Sequence, residues 1–143
     1  MKFKITFLIF ITVIMVGCNN DDDTVKSSLE NSNKIRVDED LFSTAPNDDF
    51  EIITTTITDN NLNLTIHYGG GCGNIYYDLI SGNDYTETEP IQRNIRLAFD
   101  DKDNCEAGIE IDLSFDLTQI QISSTDRIFI NLDRWENQIE YNY

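Results

Sequence analysis

Polar and apolar residues alternate through most of this chain. Leu62, Leu64, Ile66 and Tyr68 hold every second position, with Asn61, Asn63, Thr65 and His67 between them. Ile91, Arg93, Ile95, Leu97 and Phe99 keep the same period. So do Ala107, Ile109, Ile111, Leu113 and Phe115, separated by Gly108, Glu110, Asp112 and Ser114. Ile128, Ile130 and Leu132 alternate with Phe129 and Asn131, and Ile139, Tyr141 and Tyr143 close the chain. Successive side chains of a strand point to opposite faces, so a period of two marks strands with one buried face. Phe50 to Thr58 is rich in Ile and Thr, which suit strands. Ile75 to Ile80 is apolar on both faces and predicts a central strand; Lys34 to Val37 is a shorter candidate.

Turn-forming residues separate these runs: Asp59-Asn60-Asn61, Gly69-Gly70-Gly71, Ser81-Gly82-Asn83-Asp84, Asp100 to Asn104, and Arg134 to Asn137. No ten-residue stretch has a helical period, although Asp116 to Ile122 fits a single helical turn capped by Asp116. Seven to eight short strands at regular spacing predict an all-β fold, an antiparallel β-sandwich of the Ig-like or Greek-key type. Cys72 stands just before one predicted strand and Cys105 just before another. The glycines around Cys72 permit a sharp turn, because glycine adopts positive φ at no steric cost.

The N-terminus follows a different rule. Lys2 and Lys4 precede an apolar run from Ile5 to Val16, interrupted only by Thr6 and Thr12. This run is about a dozen residues, while a membrane-spanning helix needs roughly 20, so the pattern reads as a secretory signal over residues 1–17 rather than an anchor helix. Met15-Val16-Gly17-Cys18 resembles the lipobox of bacterial lipoproteins, which implies cleavage before Cys18 and acylation of that cysteine. The run Asp21-Asp22-Asp23 just behind it resembles the surface-export tether of Bacteroidetes lipoproteins; the plain alternative is a solvated spacer. Asp23-Thr24-Val25 also resembles the O-glycosylation sequon of that phylum. Residues 18–33 are polar and read as a flexible tether, which leaves residues 34–143 for the β-sandwich domain.

Cleavage would remove 17 residues and leave 126 of the 143, enough for one domain with a real core. Loss of Lys2 and Lys4 takes the formal net charge from −16 to −18. So acidic a surface repels phosphate, which argues against nucleic acid as a partner. Of three cysteines, lipid takes one. Cys72 and Cys105 remain, and an oxidising export route with an even remainder predicts a disulfide. The alternatives are two buried thiols or a metal pair. With His67 as the one histidine and no Cys-x-x-Cys, zinc lacks a ligand set.

Candidate chemistry is sparse. His67 falls on the polar face of its strand, with no serine or cysteine pattern beside it. Gly69 to Gly73 lacks the Lys-Ser/Thr of a phosphate loop and reads as a turn. Asp100, Asp101, Asp103 and Asn104 gather oxygen donors in one loop and form a candidate calcium site. The spacing resembles only the opening of an EF-hand loop: Asp101 and Asp103 are in step, but Cys105 stands at the third ligand position and Glu106 where glycine is required. An ordinary acidic turn is the competing reading. Trp135, in the polar turn Arg134 to Asn137, is a candidate platform for a glycan or peptide, or a lid over the end of the sandwich. Carboxylates are too abundant for any pair to stand out as general acid and base.

Taken whole, lipobox, acidic tether and single β-domain resemble small surface lipoproteins of the Bacteroidetes. Gly70-Gly71-Cys72-Gly73, Asn104-Cys105-Glu106-Ala107 and Phe115-Asp116-Leu117-Thr118 resemble a pattern recurrent in such proteins. The resemblance implies a disulfide-pinned sandwich held at the outer membrane by lipid and exposed at the cell surface. It supplies no catalytic residues and no cofactor. The function expected is a monomeric, non-enzymatic binding or accessory module whose partner is an outer-membrane protein or a glycan. The alternatives are a structural envelope lipoprotein without a ligand and a carboxylate-based hydrolase.

Overall fold

The structure, a computed structural model, describes residues 29–102 and 104–143. Eight strands form two sheets. The first sheet has the order β2-β3-β6, with β2 at Glu51–Thr58, β3 at Asn61–Gly70 and β6 at Ala107–Asp116. The second has the order β1-β4-β5-β7-β8, with β1 at Arg36–Val37, β4 at Ile75–Ser81, β5 at Gln92–Asp101, β7 at Arg127–Leu132 and β8 at Ile139–Asn142. The alternation read from the sequence is the alternation of burial. Leu62, Leu64, Ile66 and Tyr68 face Leu79, Ile95, Leu97, Phe99, Ile128 and Ile130 across one core. Tyr68 and Phe50 meet the Phe99 ring at centroid distances of 5.1 and 5.4 Å. The two-sheet sandwich expected from the strand count is what forms.

Two pairings depart from the antiparallel expectation. β5 and β7 run parallel, as do β1 and β4. The chain leaves β5 for β6 in the opposite sheet before returning as β7, and such a crossover allows a parallel neighbour where a hairpin does not.

The single helical turn expected near Asp116 is a 3-10 turn at Thr118–Ile120, where Asp116 Oδ1 accepts from the Thr118 backbone N at 2.9 Å. A second helix, α1 at Glu39–Thr44, has no counterpart in the sequence reading. Asp38 caps it, its Oδ1 accepting from Leu41 N at 2.9 Å, and Glu39 and Asp40 favour the positive end of its first turn. Six residues are too few to show a helical period.

α1 covers the outer face of the second sheet. Parts of β4 and β5 are therefore buried on both sides, and a second small core of Leu29, Ala45, Ile80 and Ala98 forms there. Arg96 ties the helix down. Its Nε donates to Phe42 O at 2.7 Å, and its Nη2 to Leu41 O and Ala45 O at 3.1 and 2.8 Å. These carbonyls belong to the helix C-terminus and carry the negative end of its dipole; Leu41 O also accepts from Ala45 N at 2.9 Å.

The domain is engaged from Leu29 onward, five residues before the boundary drawn from composition. Asp78, fully buried in β4, accepts from Glu30 N at 3.1 Å, Ser32 N at 2.8 Å and Arg36 Nη1 at 2.7 Å. Asn31 exchanges bonds with the β4 backbone, donating to Ile75 O and accepting from Tyr77 N. Beyond it, Ile35 N donates to Asp116 O in the first sheet, and Asp38 N to Ser81 O in the second. The N-terminal segment thus closes one side of the sandwich by bonding to both sheets.

Candidate functional site

Cys18, the signal and most of the tether lie outside the described residues. Cys72 and Cys105 form a disulfide, with their Cα atoms 5.9 Å apart. Cys72 sits on the crossover from β3 to β4 and Cys105 on that from β5 back to β6. The bond therefore joins the two connections between the sheets at one end of the sandwich. Gly71, at φ 111°, supplies the left-handed turn that brings Cys72 round; a side chain there would also press on Ile109.

The acidic loop is arranged for strand structure. Asp100 and Asp101 are the last two residues of β5, and consecutive strand positions point to opposite faces. The Asp100 carboxylate is buried and pairs with Lys102 Nζ at 2.8 Å, which raises the lysine pKa. Asn104 is exposed, and Asp103 lies outside the described residues. Among the described residues, no group of three or more His, Cys, Asp or Glu side chains converges as a metal site.

Trp135 is half-buried and packs on the main core. Beside it Arg134, at φ 63°, reaches back to Phe50 O at 2.9 Å and stands 4.4 Å over the Phe50 ring. A shallow cleft of about 310 Å³ opens there between Glu51, Ile52 and Trp135. His67 is half-buried, its Nε2 lying over Gly108, where a Cβ would come within 2.8 Å.

A further concavity is one that sequence reasoning missed. Between α1 and the outer face of β5 and β7 lies a cleft of about 440 Å³, lined by Phe42, Asn94, Ile95, Arg96, Asn131, Leu132 and Asp133. A smaller one of about 160 Å³ shares Phe42 and Asn94 and runs on past Glu39, Gly82 and Asp84. Two neutral carboxamides, Asn94 and Asn131, share the polar wall with Arg96 and Asp133, and Gln92 and Gln138 extend their hydrogen bonding beyond the lining. Asn131 Nδ2 donates to Asn94 Oδ1 at 3.0 Å and to Gln92 Oε1 at 3.4 Å. Gln138 Nε2 donates to Gln92 Oε1 at 2.9 Å and to Asn131 Oδ1 at 3.0 Å. The parallel β5/β7 pairing sets Asn94 directly beside Asn131. The network fixes each side chain in one orientation, which lowers the entropy lost when a ligand binds.

Arg96 at the cleft floor is desolvated, which lowers its pKa, an effect that nearby Asp133 opposes. Its donors are directed at α1. The cleft therefore presents amides, one carboxylate and an aromatic edge. It contains no nucleophile paired with a base.

Comparison with protein-family models and with curated proteins finds no match. Solved structures do match in fold. One is a protein of unknown function, DUF1344, from Bacteroides vulgatus ATCC 8482, with a TM-score of 0.54 and 16% identity over 76% of this chain and 55% of that one. Another is a NigD-like immunity protein from Bacteroides caccae ATCC 43185, with a TM-score of 0.56 and 16% identity over 76% of this chain and 58% of that one. The chain spans just over half the length of these neighbours. At this identity the likeness is one of fold.

Proposed function

We propose that this chain is a lipid-anchored binding module of the outer membrane, displayed at the cell surface and engaging its partner through the outer face of the second sheet. The observation that carries the reading is the preformed cleft beneath α1, where hydrogen-bonded amides hold a polar wall ready for a ligand. Concave sites with a few fixed polar groups are the usual places of recognition. The lipobox resemblance at Cys18 supplies the anchor, and two Bacteroides proteins share the fold. One of those neighbours is described as an immunity protein. That description favours a second reading, in which the partner is an agent the cell must be protected from.

The test is site-specific photo-cross-linking in living cells. A photoreactive residue replaces Asn94 in one variant and His67, on the opposite sheet, in another. Adducts enriched at position 94 are the expected result. Equal labelling at both positions, or none, would remove the cleft as the working surface. The anchor is tested separately: Cys18→Ala should move the protein from the membrane to the soluble fraction.

A further inference from the structure

We infer that the cleft beneath α1 takes a neutral saccharide, an assignment that rests on the binding-module reading and gives it a ligand class. Charge narrows the choice first. Arg96 is the only cation lining the cleft, and its guanidinium is committed to three backbone carbonyls of the α1 segment. Only its Nη1 stands outside those bonds, the residue is buried, and a chain of net charge −16 repels phosphate, sulfate and carboxylate alike. Asp133 lies close enough to Arg96 for the two charges to attract, so the cleft is not strongly cation-seeking either.

The hydrogen-bonding pattern narrows it further. Each carboxamide has two N–H donors and an oxygen acceptor. Within the network, Asn131 and Gln138 are the donors, while the oxygens of Gln92, Asn94 and Asn131 accept. The Asn94 amide nitrogen donates to no other described residue, and the Asp133 carboxylate accepts from none. The open rim thus offers a donor from β5 and an acceptor from the end of β7. A sugar hydroxyl both donates and accepts, so it can satisfy a group of either kind. Phe42 on the opposite wall gives the apolar C–H face of a pyranose ring a surface to pack on.

Size agrees. A volume of about 440 Å³ suits a mono- or disaccharide, and the smaller cleft beyond Phe42 and Asn94 gives a longer chain a way out.

The probe is an array of neutral and acidic oligosaccharides, followed by calorimetric titration with the neutral oligosaccharide bound best. Neutral glycans should bind. Asn94→Ala and Asp133→Ala should each weaken binding by up to about tenfold, the scale of one lost hydrogen bond. His67→Ala should bind as the parent does. Both cleft residues are exposed, so melting curves should match the parent. No binding on the array, binding confined to acidic glycans, or titrations indifferent to both substitutions would each overturn the assignment. Photo-adducts at position 94 that contain polypeptide and no sugar would overturn the saccharide while keeping the binding module. Absence of adducts would remove both.

Discussion

Asp78→Ala should detach the N-terminal segment. Asp78 has no exposed side-chain surface, while Arg36, its partner at 2.7 Å, keeps 27% of its own. Removing one member of a fully buried pair costs about 3–5 kcal/mol. Arg36 can rehydrate, which favours the low end, but the amides of Glu30 and Ser32 also lose their acceptor. The expected loss is therefore about 3 kcal/mol. At about 4 °C per kcal/mol for a domain of this size, the melting temperature should fall by about 12 °C. Asp78→Asn keeps one acceptor oxygen and gives up the charge, so about 2 kcal/mol should be lost. Urea denaturation followed by fluorescence of Trp135 measures both, and hydrogen exchange at the Ser32 amide locates the change. In a cycle with Arg36→Met, the two substitutions should couple by more than about 1 kcal/mol, as residues in one network do. A loss below about 1 kcal/mol for Asp78→Ala, or unchanged Ser32 protection, would refute the view that this carboxylate holds the segment.

Reducing the Cys72–Cys105 disulfide should lower stability by about 3–4 kcal/mol, because its 33-residue span restricts the unfolded chain; paired urea curves with and without reductant measure it. Arg96→Lys keeps the charge but cannot reproduce three directed bonds, so about 2 kcal/mol should be lost, with increased exchange at the α1 amides. Hydrogen bonds from the Thr118 hydroxyl and amide, the hydroxyl first, depress the Asp116 pKa. A depressed folded-state value means that this contribution is present above the unfolded aspartate pKa and is lost as pH falls through the folded one, below about pH 4. Carboxyl-carbon NMR should show the low midpoint, and Thr118→Val should raise it.

The first sheet was legible in the sequence because one of its faces is wet. Asn61, Asn63, Thr65 and His67 line that face, and every residue between them is buried. The second sheet was less so. Arg96 and Ala98 look like solvent positions in the pattern of β5, yet both are buried, because α1 and the N-terminal segment pack there. Asp78 lies within the run Ile75 to Ile80 that reads as apolar on both faces, and it is the acceptor for Glu30, Ser32 and Arg36. The candidate cleft was invisible for a related reason. Asn94 and Asn131 are 37 residues apart, and only the parallel β5/β7 pairing makes them neighbours. Gly71, Cys72 and Cys105 announced themselves because their chemistry is local: positive φ and an even thiol count need no partner to be recognised.

The Asp78 clamp also decides how the domain bears load. Any pull on the chain from its N-terminal side enters the fold at Leu29 and passes at once to Asp78, through Glu30, Ser32 and Arg36. Strand β1 adds only a two-residue parallel pairing, Arg36 with Ile80 and Val37 with Ser81. The links loaded first are then Leu29 in the small outer core and the bonds to Asp78, which, being buried, salt screens little. The main core lies beyond those links, so the leading segment should act as a mechanical fuse: it peels away while the sandwich stays folded.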